Sequence, residues 1–113
     1  MSLTFKPDCA SRIPLVHILL TAERVYAQLG YDCVVTSLND SKHMQGSGHY
    51  DDRCADLRSW HLTPEHKPLI VKALQEKLGA GYFVQFEPEL KNIEGKVTRA
   101  EHIHAQKNKE VST

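Results

Sequence analysis

Two clusters in this chain have the side-chain types and spacing that hydrolytic metal chemistry needs. One is the run Ser47-Gly48-His49-Tyr50-Asp51-Asp52-Arg53-Cys54-Ala55-Asp56, in which a histidine precedes an aspartate by seven positions. The other is Glu101-His102-Ile103-His104. Residues two apart on a strand share a face, so His102 and His104 point the same way if this segment is extended. A catalytic zinc takes three ligands from histidine, aspartate, glutamate or cysteine and keeps one position for water. It lowers the pKa of that water to about 7, and a nearby carboxylate can act as general base. Each cluster alone also fits a plainer role, since an HxH pair on a strand can be solvated surface. Together, in a short chain with a long polar segment, they point to a metal site.

The remaining candidates are less telling. His17 lies in a helical pattern and reads as structural or exposed, and His61 and His66 flank a helix start and read as solvated. Cys9, Cys33 and Cys54 form no CxxC pair, which supports neither a disulfide framework nor a zinc ribbon. Cys33 lies in an apolar run and reads as a small buried hydrophobe. Cys54 reads as a buried thiol, with soft ligation as the alternative. Arg58 follows Asp56 by two positions and so could face the same site and pair a substrate carboxylate. An exposed strand arginine is the equal alternative.

The elements that must position these residues are legible in outline. Ile13, Val16, Leu20, Val25 and Leu29 keep near-helical spacing, predicting a helix over 14–29 that Gly30 stops. Residues 32–37 read as a strand and 38–53 as a long polar loop. Residues 54–58 read weakly as a strand. Thr63 offers an N-cap and Pro64 a first helical position for a helix over 64–78, presenting Leu69, Ile70, Ala73, Leu74 and Leu78 to the core. Residues 82–87 are a predicted strand, 88–98 a polar connection and 99–106 a final strand, before a tail that reads as frayed. Helices and strands do not strictly alternate, so the expected class is α+β with a small, mostly antiparallel sheet and two main helices.

The chain of 113 residues suffices for one domain, 1–113, with its core over about 14–106. Fourteen basic and fourteen acidic residues give a formal net charge of zero, which argues against nucleic acid as a partner. No apolar run approaches the roughly 18 residues needed to span a bilayer. The first residues lack the pattern of a secretory leader. The expectation is therefore a protein cytoplasmic at synthesis, with no membrane span; the oligomeric state is left open.

At the two clusters the sequence resembles the zinc D-alanyl-D-alanine carboxypeptidases and the phage L-alanyl-D-glutamate endopeptidases, which share a fold with the hedgehog signalling domain. Their pattern is SxHxxGxAxD followed far downstream by ExxH or HxH. Ser47, His49 and Asp56 match the first motif, Leu57 and Arg58 continue it as DLR, and Glu101-His102-Ile103-His104 matches both forms of the second. The stretch AERVYAQLGYDCVVTS resembles the family's helix and first strand, and the likeness covers about residues 14–106. Asp52 stands where the family has glycine, and Cys54 where it has alanine. A second register exists, because Ser41-Lys42-His43-Met44-Gln45-Gly46 also reads SxHxxG, but it needs an insertion before Asp56.

The resemblance implies one zinc per chain held by His49, Asp56 and His104, with Glu101 as general base. Residues three apart on a strand face opposite sides, so Glu101 reaches the metal only from the strand's start or a bulge. His102 shares the face of His104 and could supply the base or stabilise the oxyanion. The implied activity is hydrolysis of an amide bond in a peptidoglycan stem peptide, by a phage or prophage enzyme acting on the wall after holin-type release or as a virion component. A zinc-stabilised binding or structural module without catalysis is the alternative.

Overall fold

A computed structural model describes residues 13–38 and 53–108. The expected zinc ligand His49, its alternative His43, and Cys9, Ser47 and Asp52 lie outside the described residues. Two helices and a mostly antiparallel sheet make a small α+β fold, in the order α1 (Ile13–Gln28), β1 (Val35–Leu38), β2 (Cys54–Arg58), α2 (His66–Leu78), β3 (Tyr82–Glu87), β4 (Leu90–Lys91), β5 (Val97–Arg99) and β6 (His102–Lys107). The main sheet runs β1-β2-β6-β3, and β4 and β5 form a separate two-stranded ribbon. Among the described residues no helix is long and apolar enough to cross a membrane.

The stop at Gly30 is a full C-terminal cap. Gly30 takes φ 85°, its N–H donates to the Ala27 carbonyl at 3.0 Å, and the Tyr31 N–H reaches back to the Tyr26 carbonyl at 3.0 Å. The left-handed conformation suits a residue without Cβ, and the two bonds satisfy carbonyls that the helix end leaves open. The buried stripe of α1 is Ile18, Ala22, Val25 and Tyr26, so Val16 and Leu20 fall on its exposed side. In α2, Ile70, Leu74 and Leu78 are buried, whereas Leu69, expected in the core, is 52% exposed. One residue turns a helix by about 100°, and the stripe through Ile70 leaves Leu69 outside it.

Both helices lie on one face of the sheet. Ala55 and Leu57 of β2, Ile103 and Ala105 of β6 and Val84 of β3 meet them there. Leu57 and Ile103 have no exposed surface. Cutting either to alanine would cost about 2–5 kcal/mol through lost burial and the cavity left behind. The two-residue period sends Cys54, Asp56 and Arg58, and opposite them Gln106, His104 and His102, to the other face, where no helix packs among the described residues.

Two strand expectations change. The first strand starts at Val35 rather than 32. The polar connection 88–98 folds into the β4–β5 ribbon, because Asn92 Oδ1 accepts the Glu94 and Lys96 N–H groups at 2.9 Å each and Gly95 adopts φ 84°. The expected final strand over 99–106 is consequently split. Arg99 ends β5 in the ribbon, Ala100 and Glu101 cross over, and His102 begins β6 in the main sheet.

Candidate functional site

Asp56 and His104 are direct partners in the β2–β6 ladder, and Arg58 and His102 are the partners two positions along. The site is therefore built on two paired strands, whose spacing is fixed by backbone hydrogen bonds and by the buried Leu57–Ile103 pair between them. His104 Nδ1 lies 2.8 Å from Asp56 Oδ1, and its Nε2 lies 2.8 Å from Gln106 Oε1. Two acceptors flank the ring, so the doubly protonated imidazole is favoured. The hydrogen bond to Asp56 raises the His104 pKa above its ordinary value; burial opposes it, and Gln106 and the Glu87 charge add to the rise.

The imidazole of His102 has a different setting. Its Nδ1 is 3.0 Å from the Ala100 carbonyl oxygen, an acceptor only, so Nδ1 carries a proton. That Nε2 lies 3.7 Å from both Asp56 Oδ1 and Glu87 Oε2. Glu87 pairs with His102 in the β3–β6 ladder and binds Arg99 Nη1 at 3.1 Å.

Glu101 sits one residue before β6 and turns towards α2. Ser59 Oγ donates to its Oε2 at 2.7 Å, and Lys67 Nζ lies 2.9 Å from the same oxygen and 3.1 Å from Oε1. Burial alone would raise the Glu101 pKa, but the Lys67 and Ser59 hydrogen bonds and the Lys67 charge outweigh it and hold the carboxyl below its ordinary value.

Arg58 faces the same open side. Its Nε donates to His61 Nδ1 at 3.2 Å, and its guanidinium lies 4.6 Å from the Trp60 ring centroid. A cleft of about 270 Å³ opens here, lined by Asp56, Arg58, Trp60, Arg99, Glu101 and His102 among others.

Neither His61 nor His66 is merely solvated. His61 is half-buried against Tyr26, Tyr31 and Trp60, and His66 Nδ1 lies 2.6 Å from the Tyr31 hydroxyl. Cys33 packs partly against the core, and burial pushes its thiol up to about 11, with the Glu23 charge adding to the rise. Cys54 is half-buried, and its thiol is also raised, first by burial. His17 is exposed, its ring edge-on to Tyr82.

The sheet thus brings together Asp56, His104, His102 and Arg58, while Glu101 lines the same cleft with its oxygens engaged by Lys67 and Ser59. Among the described residues no group of three or more histidine, cysteine, aspartate or glutamate side chains is arranged to hold a metal. The Asp56–His104 pair nevertheless suits zinc chemically. Imidazole and carboxylate are zinc donors, and ligand atoms about 2.1 Å from a tetrahedral ion lie about 3.3 Å apart, so the pair need open by only about 0.5 Å. Gln106 Oε1 stands at the far ring nitrogen, where a ligating histidine usually finds an acceptor. Glu87, Gln106, His61, Trp60 and Lys67 escape a reading of the sequence alone. Alternation places Glu87 on a face, but only the ladder register shows which face position meets His102. No family model, curated protein or solved structure matches the chain.

Proposed function

We propose that this chain is a zinc-dependent peptidase that hydrolyses an amide bond in peptidoglycan stem peptides, of D,D-carboxypeptidase or L-alanyl-D-glutamate endopeptidase type, with phage or prophage origin and access to the wall by holin-type release or from a virion. The observation that carries the reading is the 2.8 Å approach of Asp56 Oδ1 and His104 Nδ1 on the sheet face opposite α1 and α2. These are the motif residues that the resemblance makes ligands, and they come from segments 48 positions apart. The wall peptide as substrate rests on that resemblance.

His49, Asp56 and His104 would hold the zinc. Bound there, zinc supplies Lewis acidity and brings the pKa of a water to about 7. His102 is the base this arrangement favours. Its Nε2 lies 3.7 Å from Asp56 Oδ1, where the neutral imidazole could accept the attacking water's proton and return it to the leaving amine. Glu101 is a poorer base, because Lys67 and Ser59 occupy its oxygens and lower its proton affinity. Its role is to anchor the start of β6, and with it His102, to α2. Arg58 presents its guanidinium to the cleft for a substrate carboxylate.

The engagement of Glu101 also favours a second reading, a zinc-stabilised binding module, since it leaves no free carboxylate in the final cluster. Digestion of purified peptidoglycan by the zinc-loaded protein separates the two. New amino termini without free alanine indicate an endopeptidase, and free D-alanine a carboxypeptidase. Release of neither from any wall chemotype makes the binding module the better reading.

A further inference from the structure

We infer that His61 is a positioning residue for Arg58, and that with Trp60 it holds the guanidinium as a prepared fork for a carboxylate. The inference deepens the proposed function and rests on its assignment of Arg58 to substrate. An arginine side chain loses much rotamer freedom on binding, and fixing it beforehand reduces that cost. Arg58 is fixed along its length. Its backbone N–H donates to the Val34 carbonyl at 2.8 Å, its carbonyl accepts the Tyr26 hydroxyl at 2.9 Å, its Nε donates to His61 and Trp60 lies against its guanidinium. Among the described residues, no hydrogen bond or ion pair engages its two terminal nitrogens. They are the donors that a carboxylate accepts from in pairs. Asp56 lies two positions back on the same strand, about 7 Å away. Asp56 and Arg58 line one cleft, so a substrate whose carboxylate sits on Arg58 enters beside the Asp56–His104 pair.

The state of His61 follows from its partners. Arginine Nε–H can only donate, so His61 Nδ1 must accept, and Nε2 then carries the proton, which it donates to the Asp32 carbonyl oxygen at 2.9 Å. A second proton would have to go on Nδ1, directly against the Arg58 N–H. The groups facing His61 are Arg58 of β2, Trp60 after it, Tyr26 of α1, and Tyr31 with the Asp32 carbonyl in the link after α1. His66 of α2 stands behind Tyr31. The brace on Arg58 is thus the Nδ1 lone pair of the Nε2-protonated tautomer.

The test is binding of N-acetyl-D-alanine, with N-acetyl-D-alaninamide as control, measured by calorimetry on the metal-loaded protein at pH 7.5. Wild type binds the acid and not the amide. His61→Ala weakens binding at pH 7.5 by about tenfold, the scale of one charge-assisted hydrogen bond. His61→Asn, whose amide oxygen can stand where Nδ1 stood, restores binding. If His61→Ala does not fold, nitrogen NMR of wild-type His61 still decides, since the inference requires the Nε2-protonated tautomer at pH 7.5. The Nδ1-protonated tautomer, equal loss in His61→Asn and His61→Ala, or no binding of the acid each overturns it. Carboxylate binding without any wall hydrolysis would leave this inference standing and remove the peptidase.

Discussion

Glu101 and Lys67 form an ion pair at 2.9 Å that ties the entry of β6 to the first turn of α2. The carboxylate adjacent to the HxH motif in sequence is thus engaged by α2, while the Nε2 of His102 beside it lies 3.7 Å from Asp56 and from Glu87. Glu101 precedes β6, so its direction is set by the Lys67 and Ser59 contacts and not by strand alternation.

Turnover should respond accordingly. His102→Ala is expected to lower hydrolysis of a stem peptide by about 10² to 10⁴, the usual scale for loss of a general base, while keeping the zinc. Glu101→Gln should retain measurable activity and lose mainly thermal stability, since an amide cannot pair with Lys67. Stopped assays on both variants, with zinc content measured alongside, check this. Full activity in His102→Ala with none in Glu101→Gln would return the base to Glu101.

The metal-free protein should lose stability at both ends of the pH scale. Glu101 has a lowered folded pKa, so its contribution is present above the unfolded carboxyl value of about 4.3 and disappears as pH falls through the lower folded value. His104 has a raised folded pKa, so its contribution is complete below about 6.5, the unfolded value, and disappears as pH rises through the folded value. Denaturant melts in chelator from pH 3 to 9 should show the acid loss diminished in Glu101→Gln and the alkaline loss diminished in His104→Gln. Unchanged profiles in both variants would contradict the assignments.

Zinc should stabilise the fold by linking β2 and β6 to the segment that carries His49. Ligand at a thousandfold excess over Kd adds about 4 kcal/mol to the native state. A chelator should therefore lower the melting temperature of the zinc-loaded protein by several degrees, as read by calorimetry. An identical melting curve after confirmed metal removal would rule this out.

The sequence made the scaffold legible where periodicity and punctuation agree. Gly30 as a helix stop and 82–87 as a strand both follow from local chemistry that the tertiary structure does not override. The 88–98 stretch was illegible because its ribbon depends on one side chain, Asn92, folding back on two backbone amides. Leu69 looked like core because apolar character does not reveal which of two adjacent residues the helix turns inward. In the site, the Asp56–His104 and His102 placements follow from alternation, whereas the Glu87–His102, Glu101–Lys67 and Arg58–His61 contacts depend on strand register and helix docking.

The most direct measurement is the zinc content of the purified protein and four variants after dialysis against limiting metal. The account predicts about one zinc per chain in wild type, loss in Asp56→Ala, His104→Ala and His49→Ala, and retention in His43→Ala. Zinc-free wild type, or retention in both Asp56→Ala and His104→Ala, would contradict it. Loss in His43→Ala with retention in His49→Ala would move the third ligand to His43.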